Sequence, residues 1–99
     1  MNKLIVEFIG TFFLVQAVGH AVLAKSALAG IVIGLTLMVM VYAGGHISGA
    51  HYNPAVTLAV WLRGKLPKAE VLPYITAQVA GAVVSALIVT KFRGQGSEA

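Results

Sequence analysis

The residues of this chain that could do chemistry lie mostly in one short segment. Residues 45–57 read Gly-His-Ile-Ser-Gly-Ala-His-Tyr-Asn-Pro-Ala-Val-Thr. Asn53 is a favoured N-cap residue, and Pro54 suits the first position of a helix, where its missing N–H costs nothing. The apolar helix that follows is only about ten residues long, half of what a bilayer crossing needs. If such a helix begins at membrane depth, its free N–H groups must face protein or water, so the segment predicts a pore.

Two histidines of this segment, His46 and His51, are candidates for metal ligands. Their spacing of five does not match the i, i+4 pairs of helical metal sites, and no carboxylate lies near them in the sequence. We therefore expect hydrogen bonds that stabilise the loop, and no metal or cofactor. Since the sequence shows no nucleophile with a base and no phosphate loop, we also expect no enzyme activity.

The composition predicts an integral membrane protein. Hydrophobic residues make up 59% of the 99 residues and charged residues 10%, which would expose too much apolar surface for a soluble protein. The seven Lys and Arg residues lie between apolar segments and at the ends, as expected of interfacial anchors rather than of a nucleic-acid site. Trp61 and Tyr74 are assigned to the interface or to lipid-facing packing. We place the multi-pass protein in the cell (inner) membrane.

Three apolar segments are long enough to cross a bilayer: 4–24, 27–43 and 70–90. The first exceeds the 7–15 apolar residues of a signal peptide, so a span is favoured over a leader. Residues 44–62 are predicted to form an irregular re-entrant loop and the half-helix 54–62, and 91–99 a polar tail. The predicted fold is an all-α membrane protein, one unit over 1–99 with three spans and one half-helix.

Small residues recur in the second and third spans at helical spacing. Gly30 and Gly34 form one pair, and Ala77, Gly81 and Ser85 form a stripe. Such positions allow close approach of helices. Packing within the chain is the favoured interpretation, and a face for a second chain is the alternative.

The motifs resemble those of the major intrinsic protein family, the aquaporins and glycerol facilitators. They occur in family order: 7–11 (Glu-Phe-Ile-Gly-Thr), 45–57 and 77–81 (Ala-Gln-Val-Ala-Gly). Family members resemble two such halves, inverted relative to each other and fused in one chain, and this chain is similar to the N-terminal half. The resemblance implies a passive channel for water and small neutral solutes such as glycerol. Since only one half is present here, we expect antiparallel homodimers of dual topology to complete the pore, with higher oligomers of such pairs as a further step. The alternative is a non-conducting fragment, or a subunit that needs a different second half.

The positive charges are compatible with insertion in both orientations. One predicted membrane face carries four cations: Lys3, Arg63, Lys65 and Lys68. The other carries three: Lys25, Lys91 and Arg93. Orientation follows the excess of Lys and Arg in short flanking loops, and four against three is a weak bias.

In the implied pore, two half-helices meet at their N-termini and each contributes about +0.5 charge, which repels cations. The Asn53 amide donates to a permeating water, and the backbone carbonyls of 45–51 form a ladder of acceptors. The residues assigned to the pore are His46, Ile47, Ser48, Gly49, Ala50, His51, Asn53, Pro54 and Ala55.

Glu7 is an ionisable group inside a span, which by itself suggests an ion or proton site. The resemblance implies instead that Glu7 and Gln78 accept and donate hydrogen bonds to the backbone of the irregular loop, whose polar groups need partners. This supporting role is the favoured interpretation.

The resemblance also carries over four positions of a selectivity filter: Ile33, Val41, Ala50 and Val56. Val56 stands where the family has an arginine after its second Asn-Pro-Ala box. All four residues are apolar, so the filter is expected to be less polar than that of a strict water channel and to admit glycerol or dissolved gases as well as water.

Overall fold

The computed structural model describes residues 2–25 and 27–94, and in this part of the chain all regular structure is helical. The helices are α1 (Asn2–Leu23), α2 (Ala29–Ser48), α3 (Pro54–Leu62) and α4 (Lys68–Val89), and one turn of π-helix (Thr90–Gly94) continues α4. Three segments are long and apolar enough to cross a membrane: Asn2–Leu23, Ala29–Ser48 and Lys68–Phe92. The predicted all-α membrane fold with three spanning helices is confirmed.

α3 is too short to cross a bilayer. It has nine residues, which gives a length of about 13 Å at 1.5 Å per residue. Its beginning follows the prediction: Asn53 is the N-cap and Pro54 the first helical residue.

The prediction for the end of the second span was wrong by five residues. α2 continues to Ser48, so the irregular segment begins at Gly49 rather than at residue 44. A glycine usually weakens a helix, which is why the span was expected to end before Gly44. Gly44 is buried, however, and a Cβ there would overlap Val6 and the Tyr52 hydroxyl. The close packing that needs a glycine at this position also keeps it helical. The helix ends at Gly49, whose φ of +89° is left-handed and whose N–H donates to the Gly45 carbonyl.

The predicted polar tail was also placed too early. The π-helical turn continues the chain to Gly94, so 91–94 are helical, and the remainder of the predicted tail, 95–99, lies outside the described residues. Pro73 lies within the second turn of α4, which continues through it without a break.

α1 and α4 lie side by side and run in the same direction. Lys3 reaches Glu70 at their beginnings, and Gly19 faces Val89 near their ends. Between these points a Cβ on Gly81 would lie 2.5 Å from the Phe8 carbonyl oxygen. The third span therefore uses Gly81 for packing within the chain.

The other small-residue pair does not pack inside the chain. Gly30 and Gly34 have nothing within 4 Å of a Cβ placed on them, so the favoured interpretation of this pair was wrong. The face of α2 that carries them is exposed, as are most of its large apolar side chains. What is buried in this fold is largely polar: the largest fully buried side chains are those of Tyr74, Gln78, Glu7, Thr57 and Ser85.

Candidate functional site

Glu7 lies at the centre of a buried hydrogen-bond network. Its side chain is fully buried (0% exposed). Oε2 accepts hydrogen bonds from the Ser48 hydroxyl at 2.6 Å and the His51 backbone N–H at 3.1 Å. Oε1 accepts from the Tyr52 backbone N–H at 2.8 Å and from Gln78 Nε2 at 2.7 Å. One carboxylate of α1 thus joins the end of α2, the following loop and α4, through hydrogen bonds that are strengthened where the acceptor is charged.

These hydrogen bonds fix a loop whose backbone is otherwise unfavourable. Ala50 and Tyr52 both have φ of +55°, in the left-handed region. That conformation costs roughly 1–2 kcal/mol for each residue that carries a Cβ. The Ala50 N–H donates to Ser48 Oγ at 3.1 Å, and the next two N–H groups point at Glu7. The carboxylate and the hydroxyl therefore accept hydrogen bonds from three successive backbone N–H groups.

The Tyr52 side chain is an anchor that the sequence reasoning missed. It is 2% exposed, and its hydroxyl donates to the Met40 carbonyl at 2.7 Å. A Cβ on Gly10 or on Gly44 would overlap the tyrosine ring, so these two glycines create the space between α1 and α2 that the ring fills. The signal available in the sequence was an aromatic residue directly before an N-cap, with a glycine in each of the two preceding spans.

Asn53 caps α3 with its side-chain oxygen. Its backbone is extended, with φ −161° and ψ 129°, and Oδ1 accepts from the Ala55 N–H at 2.7 Å. The cap thus occupies the acceptor of this amide, and its donors are the NH₂ group. Asn53 is exposed and Pro54 partly so. An Asn53 oriented in this way can offer N–H groups to a molecule beside the start of α3.

His51 and Gln78 join the loop to α3 and α4. His51 Nδ1 and Thr57 Oγ1 share a 3.0 Å hydrogen bond, and Gln78 Nε2 donates to the same Oγ1 at 2.8 Å. Gln78 was expected to bond with the loop backbone; it donates instead to Thr57 and Glu7. In the part of the chain that the structure describes, no group of three or more His, Cys, Asp or Glu residues could hold a metal ion.

Tyr74 is buried rather than facing lipid, which corrects its assignment from the sequence. It is 2% exposed, and its hydroxyl donates to the Ser48 carbonyl at 2.7 Å. Its ring lies 5.0 Å from that of His51. Tyr74 therefore supports the end of α2 from α4.

The predicted ladder of carbonyls over 45–51 is shorter in the structure. The Gly45 carbonyl accepts the Gly49 N–H as part of the α2 C-cap, and the Ser48 carbonyl accepts the Tyr74 hydroxyl. These two carbonyls are therefore already used. His46 and Ile47 lie on the last turn of α2 and are exposed.

A cavity of about 640 Å³ opens beside α3 and the loop; we call it the vestibule. Five of the residues predicted for the pore or filter line it: Ile47, Ser48, Gly49, His51 and Val56. Lys3, Arg63, Lys65 and Glu70 also lie in its wall. Of the other predicted pore residues, Asn53 and Pro54 lie in the groove described below, and Ala55 is exposed on the first turn of α3.

One copy of the chain does not bring the four predicted filter residues together. Val56 lines the vestibule. The Val41 and Ala50 side chains each lie 3.9 Å from where a Cβ on Gly45 would be. Ile33, however, lies 15 residues before the last residue of α2, a distance of about 22 Å along the helix. Ile33 is therefore near the beginning of α2, far from Ala50 and Val56, and Val41 lies between them, about 12 Å from Ile33 along the helix.

A second groove, also of about 640 Å³, lies between α1 and α4; we call it the α1–α4 groove. Asn53 and Pro54 line it together with the C-terminal halves of both helices, as far as Val89 and Thr90. Its wall is mainly apolar and includes Thr11 and Gln78. Their Oγ1 and Oε1 atoms are buried within the described part of the chain and have no hydrogen-bond partner there, which is rare for buried polar atoms.

The fold and site define a multi-pass membrane protein in which a short helix, begun by Asn-Pro-Ala, follows a loop held by a buried glutamate. Residues 1–98 match the family described as major intrinsic protein. The chain belongs to this family.

Two curated relatives show the extent of the similarity. The chain is 39% identical over 97 residues to Aquaporin Z of Photorhabdus laumondii subsp. laumondii and 44% identical over 97 residues to Aquaporin Z of Brucella melitensis biotype 1. Each alignment covers 89% of this chain and 42% of the relative. The chain therefore spans less than half the length of these relatives. Proteins named aquaporin are channels and not enzymes, which confirms the expectation that the chain is not an enzyme.

Proposed function

We propose that the chain is one half of a passive channel for water and small neutral solutes such as glycerol, and that an inverted second copy completes the pore. The observation that carries this proposal is the α1–α4 groove, which continues the line of α3 from Asn53 and Pro54 towards the other end of the bundle. α3 occupies only one half of the length of α1 and α4. The other half is open.

The size and chemistry of the groove suit a second α3. A helix of nine residues is about 13 Å long, close to half of a hydrocarbon core of about 30 Å. An inverted copy would begin its α3 beside this Asn53 and run in the opposite direction along the groove. The mainly apolar wall of the groove also suits the apolar side chains of α3.

The proposed mechanism places the two Asn53 side chains at the centre of the pore. Each amide donates to the oxygen of a permeating water, because its own oxygen is held by the Ala55 N–H. A water that accepts two such hydrogen bonds cannot pass a proton along the file. The two helix N-termini add about half a positive charge each and so disfavour cations.

The inverted pair also accounts for the separation of the predicted filter residues. Ile33 lies towards one end of α2 and Val56 on the side of the other end. Inversion would bring Ile33 of one copy to the same half of the pore as Val56 of its partner. Both mouths would then have the same apolar filter, made from both copies.

A second candidate is a non-conducting half-channel, or a subunit whose partner is a different second half. The 42% coverage of the relatives supports this second candidate, since a protein of their length would fill the same groove with its own second half. In either case the proposed surroundings are the bilayer of the cell (inner) membrane, with larger assemblies of such pairs as a further step.

Flux through liposomes that contain only this purified chain tests the proposal. Stopped-flow light scattering would follow shrinkage under a gradient of an impermeant sugar and then of glycerol. We expect water flux well above that of empty liposomes, and its loss in Val56→Trp, because one substitution closes both mouths. Leu72→Trp is the matched control, since Leu72 is 73% exposed and lies outside the vestibule.

Each result assigns the function. Flux in the parent and in Leu72→Trp, but not in Val56→Trp, supports the homodimeric pore. No flux from folded parent protein supports the second candidate. Equal flux in all three proteins would remove Val56 from the filter.

A further inference from the structure

The wall of the vestibule has an excess of positive charge. Three cationic residues and one acidic residue line it: Lys3, Arg63, Lys65 and Glu70. Lys3 Nζ lies 3.3 Å from Glu70 Oε1, so these two charges offset each other. Among the residues that the structure describes this is the single ion pair, and it leaves Arg63 and Lys65 without an acidic partner there.

Helix dipoles do not cancel this excess. α2 ends at Ser48 and α3 at Leu62, both beside the vestibule, and each contributes about −0.5 charge at its C-terminus. α1 and α4 begin on the same side, as the contact of Lys3 with Glu70 shows, and each contributes about +0.5 charge at its N-terminus. The four dipoles therefore offset one another, and the side chains decide the sign of the field.

The shape of the vestibule strengthens the effect of these charges. Apolar residues, among them Val56 and Val60, form part of the same wall. A cleft with charge of one sign and walls of low dielectric constant focuses the field and changes the local concentration of ions. The uncharged loop residues Ser48 and Gly49 line the same cavity, so an ion that approaches the loop on this side passes Arg63 and Lys65.

We propose that Arg63 and Lys65 make the vestibule a mouth that excludes cations and concentrates small anions. Its role at the entrance of a pore rests on the proposed function, in which the inverted copy gives both mouths the same charge. The electrostatic property itself belongs to one chain. It adds to the two helix dipoles at the pore centre a barrier that cations meet before they reach the filter.

If Arg63 and Lys65 were only interfacial anchors, it would not matter whether they line the vestibule, because lysines and arginines at a membrane interface stabilise a span wherever they lie along the face. Lys68 is exposed on the same side but does not line the vestibule. Lys68→Gln removes the same charge from the same face and is the matched control for Arg63→Gln and Lys65→Gln.

The chain has no cysteine, so Val60→Cys gives a single thiol in the vestibule wall. We would measure the rates at which a sulfonate-bearing and a trimethylammonium-bearing methanethiosulfonate modify this thiol in a neutral detergent. The ratio of the two rates is divided by the ratio for 2-mercaptoethanol in the same buffer. A change in the thiol pKa affects both reagents alike and leaves the ratio unchanged.

We expect the normalised ratio to favour the anionic reagent by about fifteenfold at 10 mM ionic strength. A unit charge about 8 Å away in water changes each rate about twofold and in opposite directions, hence the ratio about fourfold, and Arg63 and Lys65 supply two such charges. Arg63→Gln with Lys65→Gln should bring the ratio close to one, whereas Lys68→Gln should change it by less than about twofold. At 1 M salt, where the Debye length is about 3 Å, all ratios should converge.

The proposal is overturned by a parent ratio near one, by an equal decrease in Lys68→Gln, or by a thiol that neither reagent modifies. The liposome flux is measured on the same proteins. The expected ratios without any flux would refute the proposed channel and leave the charged vestibule standing, whereas flux with a ratio near one would refute the vestibule alone.

Discussion

At the scale of single residues, Glu7 determines whether the loop can keep its shape. Four donors converge on its two oxygens: one hydroxyl, two backbone N–H groups and one amide. A carboxylate can accept all of them, since it has about four lone-pair sites and no donor. These hydrogen bonds offset the free-energy cost of the left-handed backbone at Ala50 and Tyr52.

Replacing Glu7 with Gln tests this account. The new amide would place an NH₂ group against at least one donor, and a buried donor without a partner costs about 1–3 kcal/mol, more where a charged group is involved. We expect Glu7→Gln to lower the free energy of unfolding by about 2–4 kcal/mol. Thermal unfolding in detergent, followed by circular dichroism, measures the change.

Glu70→Gln is the control for this substitution. Glu70 makes a partly exposed ion pair with Lys3, and such pairs contribute about 0–1 kcal/mol. A Glu7→Gln protein no less stable than Glu70→Gln would show that the loop does not depend on the carboxylate.

At the scale of helices, the sequence predicts what depends on local pattern. Apolar length predicted the three spans, and the pair Asn53 and Pro54 predicted where α3 begins. The end of α2 could not be predicted in this way, because Gly44 remains helical through its contact with Tyr52. The burial of Tyr74 and the α1–α4 groove depend likewise on contacts between segments far apart in the sequence.

The crossing of α1 and α4 provides a test at this scale. A Cβ on Gly81 would meet the Phe8 carbonyl oxygen at 2.5 Å, and backbone cannot move aside as a flexible side chain can. We expect Gly81→Ala to separate the two helices and to destabilise the fold by about 1–3 kcal/mol. Thermal unfolding in detergent measures this loss.

The same substitution at Gly34 is the matched control. Gly34 also lies in a spanning helix and has nothing within 4 Å. Gly34→Ala should leave the stability unchanged or raise it slightly, because alanine favours helix. Equal effects at the two positions would contradict the close approach of α1 and α4.

At the scale of the whole molecule, the chain must insert in both orientations if it is to pair with itself. α1 and α4 begin on one side and α2 ends there, which places Lys3, Arg63, Lys65 and Lys68 on that face. Lys25, Lys91 and Arg93 belong to the opposite face by their place in the sequence. Changing this balance should convert a protein of two orientations into one of a single orientation.

Two oppositely biased variants make the argument testable. Lys25→Gln with Lys91→Gln leaves one cation on the second face, and Lys68→Gln with Ala24→Lys and Ala27→Lys reverses the excess. We expect each variant alone to insert in one orientation in the cell membrane and to give vesicles of that membrane no faster water flux than vesicles without the protein, because neither can form an inverted pair. Co-expression of the two should restore the flux, since each supplies the orientation that the other lacks. Full flux from either variant alone, with its single orientation verified by protease accessibility, would mean that the pore does not need an inverted copy.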